Sequence, residues 1–539
     1  MRTKKKAIIL FVLILQIQHG FPQSSVPHLQ KVGDKTHLVV EGKPFIVLGG
    51  ELGNSTFTSV EYMKPHWEKF KAMNLNTILA PVYWELIEPK EGQFNFELLD
   101  ELISDVREND MKLIILWFGS WKNSMSSHAP SWIKQNQAKY PRAIDERGVS
   151  QEILTPFSEN NLQADLNAFK ALMTHIKQID NKQNTVIMVQ PENEIGMLPS
   201  ARDYHPLANS FFKNQVPDEL MDYLQNNKEN LVPEFLNIWK KNGYKTEGTW
   251  EEIFGQGYVT DEIFMAWYFA KFTEELTKAG KEIYPLPMFV NAALIRPGKI
   301  PGEYPSAGPL PHLMDIWKAA APSIDMLSPD FYTPDFEYWN DLYVRQNNPL
   351  FIPEHRFDNT VGAKALFAIG HYEAIGFSPF SIEDNINMEL AGAYDLIKQL
   401  YPLITENFGQ NKIDGVLLDK EKIQTTVVLG SYEFSFQNSY TLGWEAGATE
   451  DIWDSGAAII IQSDTTEFYI AGSGVVVTFK NWKNRNKIVG ILNCEEGVFE
   501  NGKWKVLRHL NGDQTHQGRH IRISHGDYSI QKVQLYEYE

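Results

Sequence analysis

Cysteine is nearly absent from this 539-residue chain, with Cys494 standing alone. A single thiol closes no intramolecular disulfide, so the fold must be held by packing. Basic clusters are missing beyond the first six residues. The formal charge is −18, and setting aside Arg2, Lys4, Lys5 and Lys6 brings it to about −22. A surface so acidic, with no compensating basic run, argues against nucleic acid as a partner and leaves a neutral ligand such as a sugar a better fit. Long apolar runs are missing too. The stretch from Ala7 to Leu15 falls short of the roughly 20 residues that a membrane-spanning helix needs. With a basic start before it and small polar residues after it, this segment reads as a secretory signal over residues 1–24. The expectation is therefore export to the periplasm or the exterior, with no stable membrane insertion after cleavage. G-x-S-x-G and H-E-x-x-H are also absent, which leaves a serine hydrolase or a zinc protease without a foothold.

What is present is ordinary globular material, 43% hydrophobic and 22% charged, enough for a large core and too apolar for disorder. Between about residues 40 and 385, strand-like runs alternate with amphipathic segments in a βαβα rhythm. Eight runs read as strands: Phe45–Glu51, Thr77–Trp84, Leu113–Trp121, Val186–Gln190, Met288–Ala293, Ile324–Tyr332, Leu350–Glu354 and Phe377–Glu383. Helices are expected between them, among them Tyr62–Met73, Asn161–Ile179 and Lys364–Ile375. Eight such units predict an α/β fold of the (β/α)8 TIM-barrel type over residues 25–410. An insertion at about 200–258, between the fourth and fifth strands, is expected to wall or cover the site. From about 411 to 539 short β-rich runs separated by Gly, Asn and Asp predict an all-β sandwich, jelly-roll-like.

In such a barrel the chemistry sits just past the strand C-terminal ends, and several acids fall there: Glu51, Glu88, Glu194, Glu354, Glu383 and Asp384. Two have unusual surroundings. Glu194 lies in VQPENEIG directly after a strand, and Glu354 lies in LFIPEHR, where an apolar strand delivers a carboxylate beside Arg356. The neighbouring Arg is expected to hold Glu354 ionised, while apolar and acidic neighbours push a carboxyl toward its protonated form. A charged nucleophile paired with a protonated acid is what retaining glycoside hydrolysis requires, and it needs no metal or organic cofactor.

At these residues the chain resembles glycoside hydrolase family 35, the β-galactosidases. NTILAPVYWELIEP (Asn76–Pro89) follows the family's pattern ending in W-x(3)-EP, VQPENEIG matches its VQxENEYG, and GGELGNS (Gly49–Ser55) occupies the place of its first-strand motif. The resemblance spans the barrel. It implies Glu194 as acid/base and Glu354 as nucleophile, with Asn193 on a sugar 2-hydroxyl, Glu88 on galactose hydroxyls and Tyr332 hydrogen-bonded to the nucleophile. Asn54 and Trp121 join them as expected sugar contacts, and Gln190 as a supporting amide. Glu192 is expected to support the site or to face outward. The implied activity is exo-hydrolysis of terminal β-D-galactosyl residues. A same-clan enzyme for α-L-arabinopyranosides, β-glucosaminides or β-glucosides is the alternative, and a non-catalytic sugar-binding relative is another. This chain departs from the family pattern at Asn54, where many members carry Tyr, and after Glu354. It departs again after the third strand, where FGSWKNSMSSHAPSW replaces an AEW-type run.

Overall fold

The computed structural model describes residues 26–539. The expected signal segment lies outside the described residues. Eight parallel strands form one sheet in the spatial order β5-β6-β7-β8-β1-β2-β3-β4. They are β1 (Val47–Glu51), β2 (Thr77–Tyr83), β3 (Lys112–Lys122), β4 (Val186–Asn193), β5 (Phe289–Ala293), β6 (Met326–Phe331), β7 (Phe351–His355) and β8 (Gly376–Pro379). A parallel bridge from Val189 to Met288 joins β4 to β5 and closes the ring.

The strands are apolar on both faces because each face is covered. Val47, Leu79, Ile114, Leu116, Phe118, Ile187, Phe289, Met326 and Phe351 fill the barrel interior, together with Leu38 and Val40 of a small N-terminal antiparallel sheet. On the outer face, Leu48, Ile78, Leu113, Ile115 and Ile352 pack in the larger core with helix residues such as Phe70, Ile103 and Phe169. Burial on both sides is why the strands read as near-continuous hydrophobic runs.

The helices after the eight strands are α1 (Trp67–Ala72), α2 (Glu97–Glu108), α3 (Glu159–Asp180), α4 (Tyr258–Ile283), α5 (Met314–Ala320), α6 (Phe336–Tyr343), α7 (Val361–His371) and α8 (Met388–Asn407). The first expected helix is broken in two. Pro65 sits in a short 3-10 turn, Lys64–His66, between Val60–Met63 and α1, because proline offers no N–H to continue the ladder. The eighth strand also stops early, at Pro379, leaving Glu383 on the turn that follows.

The 200–258 insertion forms four short helices, Pro206–Phe212, Asp218–Asn226, Pro233–Lys241 and Trp250–Phe254. Its position corrects the expectation that it walls the site. It leans on the side of the barrel, where Val232 N–H donates to Asp315 of α5 at 2.8 Å and Arg345 pairs with Glu234.

Beyond α8 the chain builds two antiparallel sheets. The larger, in spatial order, is Ile413–Leu418, Gly456–Gln462, Glu467–Ser473, Ser529–Tyr538, Ile488–Glu500 and Lys503–His509. The smaller is Gln424–Leu429, Tyr432–Asn438, Val475–Asn481 and Ile521–Ile523. Phe434, Phe436, Ile460, Phe468, Ile470 and Val533 fill the space between them, as inward-facing residues of a sandwich do. The outer face of the larger sheet belongs to the barrel's own core through Ile413, Ile459, Ile461 and Ala471.

Candidate active site

The mouth at the strand C-terminal ends opens into a cavity of about 560 Å³, within the usual 300–1,000 Å³ of small-molecule sites. Asn54, Lys122, Glu194, Asp330, Tyr332 and Glu354 line it, together with Arg296, Tyr304 and Pro305 of the loop after β5. That loop supplies the wall assigned in sequence to the insertion. Tyr304 anchors it by donating its hydroxyl to Glu262 of α4 at 2.7 Å.

Glu194 and Glu354 face each other across this mouth. Carboxylate oxygens of Glu194, Asp330 and Glu354 all lie within 4.8 Å of one another, and all three residues are buried. Glu194, just after β4, has left-handed backbone geometry (φ 43°), and Glu192 within the strand shares it (φ 65°). Such conformations cost on the order of 1–3 kcal/mol each and persist where the surroundings enforce them. Here Asn291 of β5 accepts the Glu194 N–H at 2.9 Å and donates its amide to Asp330 at 2.7 Å. One side chain thus ties the end of β4 to the end of β6. Glu354 accepts a short hydrogen bond from the Tyr332 hydroxyl. Burial and the adjacent Glu354 push the Tyr332 phenol upward, so it keeps its proton and remains the donor.

Burial, reinforced by Glu354, raises the Glu194 carboxyl to about 7. Burial likewise raises Glu51 and Asp330 well above the carboxylate range, with neighbouring carboxylates adding to the effect and Lys122 opposing it. The mouth therefore holds several carboxyls, most of them driven toward the neutral form. Such differentiation suits an acid and a nucleophile side by side.

Arg356 does not reach this cluster. Its guanidinium donates to the Tyr332 carbonyl at 3.0 Å and is exposed, and among the described residues the expected Arg356–Glu354 pair is not formed. Lys122 is the buried cation lining the cavity, Arg296 being exposed, and sequence reasoning passed over it. His355 lies among Phe331, Phe336 and Phe377. Burial lowers it to about 3, so it is neutral, with its Nδ1–H on the Arg356 carbonyl and Nε2 facing Lys364.

The remaining sequence candidates divide. Asn54 lines the cavity, and its buried Oδ1 has no hydrogen-bond partner among the described residues. Glu383 pins its loop, accepting from Gly53 N–H at 3.0 Å and from the Thr56 hydroxyl. Asn193 sits at the end of β4 with Oδ1 on Lys122 and Nδ2 buried, without a hydrogen-bond partner among the described residues. Gln190 donates to the Glu192 carbonyl at 2.9 Å.

Trp121 and Glu88 are not at the cavity, and the expectation that they touch sugar is corrected. Trp121 is fully buried against Phe269 and Phe272 of α4, its indole N–H on the Leu154 carbonyl at 3.2 Å. It joins Leu113, Ile115 and Trp117 on the helix side of β3. Glu88 is a buried turn acid that accepts from Trp84 Nε1 at 2.8 Å and Gly92 N–H at 2.7 Å. Glu192 does not face outward either. It is wholly buried, accepts from Trp121 N–H at 2.7 Å, and is raised well above its usual range by burial and by Asp165.

Residues 37–256 match the family model described as Glycosyl hydrolases family 35, and residues 390–522 match a domain of unknown function (DUF5597). A β-galactosidase of Xanthomonas manihotis is 34% identical over 165 residues, covering 30% of this chain and 25% of that protein. The human Beta-galactosidase-1-like protein 3 is 28% identical over 177 residues, 32% of this chain and 25% of that protein. The matched stretch thus spans a quarter of the length of these relatives. Among solved structures, the β-galactosidase of the psychrophilic Marinomonas ef1 aligns at TM-score 0.45 and 14% identity, covering 67% of this chain and 60% of that one. The family match runs through the ends of β1 to β4, which carry Glu51, Asn193 and Glu194, and over these residues the chain is similar to glycoside hydrolase family 35 and to β-galactosidases.

Proposed function

We propose that this protein is an exported, retaining exo-glycosidase that removes terminal non-reducing β-D-galactosyl residues from oligo- or polysaccharides by double displacement. The observation that carries the reading is the approach of Glu194 and Glu354, whose carboxylate oxygens come within 4.8 Å across the barrel mouth. Retaining enzymes hold their two carboxyls about 5–5.5 Å apart, whereas inverting enzymes leave about 6.5–9.5 Å for a water.

In the first half-reaction Glu354 attacks the anomeric carbon and forms the glycosyl-enzyme, while Glu194 gives its proton to the departing oxygen. In the second, Glu194 takes a proton from water, which attacks the same carbon, displaces Glu354 and restores the original configuration. A carboxyl at about 7 can serve both ways near neutral pH. Tyr332 orients the Glu354 carboxylate, and the unpartnered Asn54 Oδ1 and Asn193 Nδ2 are an acceptor and a donor for sugar hydroxyls.

A panel of nitrophenyl glycosides followed by NMR tests both parts. The β-galactoside should be turned over fastest, with β-galactose the first product. α-Galactose as the first product would overturn the double displacement. Faster turnover of an α-L-arabinopyranoside, β-glucosaminide or β-glucoside would reassign the sugar.

A further inference from the structure

Lys122 is the third-strand departure brought into the site. A register shift between β3 and β4 sets Trp117 opposite Pro191 but Lys122 opposite Asn193, so five steps on one strand answer two on the other. This bulge carries the end of β3 into the mouth, where Lys122 lines the cavity at only 5% exposure. Its ammonium donates to Asn193 Oδ1 at 2.9 Å and lies 5.2 Å from the centre of the Phe118 ring. An ammonium has no lone pair, so the Asn193 oxygen must face it and the amide nitrogen must face away. That nitrogen is buried and has no hydrogen-bond partner among the described residues.

The groups around Lys122 are nearly all acids. Glu51 comes from β1, Glu194 from the end of β4, Asp330 from β6 and Glu354 from β7, with Tyr332 beyond them. His128 also packs on the Phe118 ring, paired with Glu85. A charge buried away from water is costly unless it is paired, so one ammonium among four buried carboxyls supports about one carboxylate. Glu354 receives the Tyr332 hydrogen bond, while burial favours the neutral form of the other three.

We propose that Lys122 is a positioning residue with two jobs, supplying the counter-charge of the Glu354 carboxylate and turning the Asn193 amide nitrogen toward the sugar. The proposal rests on the retaining-glycosidase reading but can fail separately from it.

Lys122→Met removes charge and donor, and Lys122→Gln removes only the charge. Removing an opposite charge from among buried carboxyls disfavours their ionised form. The acid limb of kcat/KM should therefore move to higher pH in both variants. KM should rise more in Met than in Gln, because only Gln can still hold Asn193. A signature independent of turnover is the carboxyl-carbon resonance of Glu354 in glutamate-labelled full-length protein, assigned by its loss in Glu354→Gln. It should titrate at higher pH in both variants than in the wild type. An acid limb and a resonance unmoved in folded Met and Gln variants would overturn the proposal. If the wild type hydrolysed no glycoside of the panel, the functional reading alone would fall, and the resonance would still decide the role of Lys122.

Discussion

Glu194 and Glu354 have different chemistry available to them, and their replacement separates it. In Glu354→Ala, β-galactoside hydrolysis should fall by several orders of magnitude, and azide should restore turnover with the inverted α-azide as product. In Glu194→Ala an activated dinitrophenyl galactoside should still form the glycosyl-enzyme, and azide should then give the retained β-azide. Reversal of these product configurations on NMR would exchange the two roles. The pH behaviour follows from the same residue. With Glu194 at about 7, the protonated general acid predominates below that pH, so kcat/KM should decline as pH rises through it. Stability moves in the same direction. The folded carboxyl titrates above its usual 4.5, so its favourable contribution is complete below about 4.5 and lost as pH rises to about 7. Glu194→Gln has no charge to bury, and urea unfolding should find it gaining on the wild type by about 3 kcal/mol between pH 4.5 and 8. A constant difference across that range would contradict the burial of this carboxyl.

At the scale of elements, the end of β3 is held by a buried acid from a helix. Asp165 of α3 accepts from Trp117 Nε1 at 2.8 Å, Ser120 N–H at 2.9 Å and the Ser120 hydroxyl at 2.5 Å. Burial, with Asp165 adding to it, raises the Glu192 carboxyl well above its usual range. Asp165→Ala strands those donors, each costing about 1–3 kcal/mol, and leaves a small cavity. Urea denaturation should show a loss of about 3–5 kcal/mol. Because Lys122 stands at the end of the strand this acid holds, kcat should fall as well. A variant with unchanged kcat would mean that the strand end holds its geometry without it. The pattern of hits and misses in the sequence has its reason here. Glu194 and Glu354 were legible because each ends an apolar run. Trp121 was misplaced because strand neighbours point to opposite faces, and a bulge decides which of them meets the cavity.

At the scale of the whole molecule, the β-sandwich closes the barrel's core. α7 packs on Ile413–Leu418 and Gly456–Gln462, and it does so closely enough that a Cβ at Gly370 would lie 2.9 Å from Gly415 Cα and 3.1 Å from the Asp414 carbonyl. Gly370→Val should therefore lower the unfolding temperature by several degrees while leaving the pH profile of any remaining activity unchanged. Deleting residues from about 411 onward would bare the α7 face that Ile413, Ile459 and Ile461 cover. The truncated chain should aggregate or fail to fold instead of showing only a raised KM. A soluble, fully active truncation in size-exclusion and rate measurements would show the sandwich to be an accessory. Chelation belongs at this scale too. Two carboxylates suffice for the proposed chemistry, so EDTA should leave the rate unchanged. Loss with EDTA and recovery with one divalent ion would instead assign the Glu194, Asp330 and Glu354 cluster to a metal.

The sequence by itself determined the alternation of eight apolar strands with amphipathic helices, the change to short β runs after about 411, and the two glutamates at strand ends. These are local properties, since periodicity, strand length and turn residues act over a few neighbours. Tertiary structure alone decided which acids share the mouth. Glu51 and Asp330 meet Glu354 from strands far apart in sequence, and Lys122 from the end of β3, not the adjacent Arg356, lines the mouth with them. Closure of the ring brings such ends together, and strand pleat, bulges and loop paths choose which side chain faces inward. None of these is a property of a short stretch of chain.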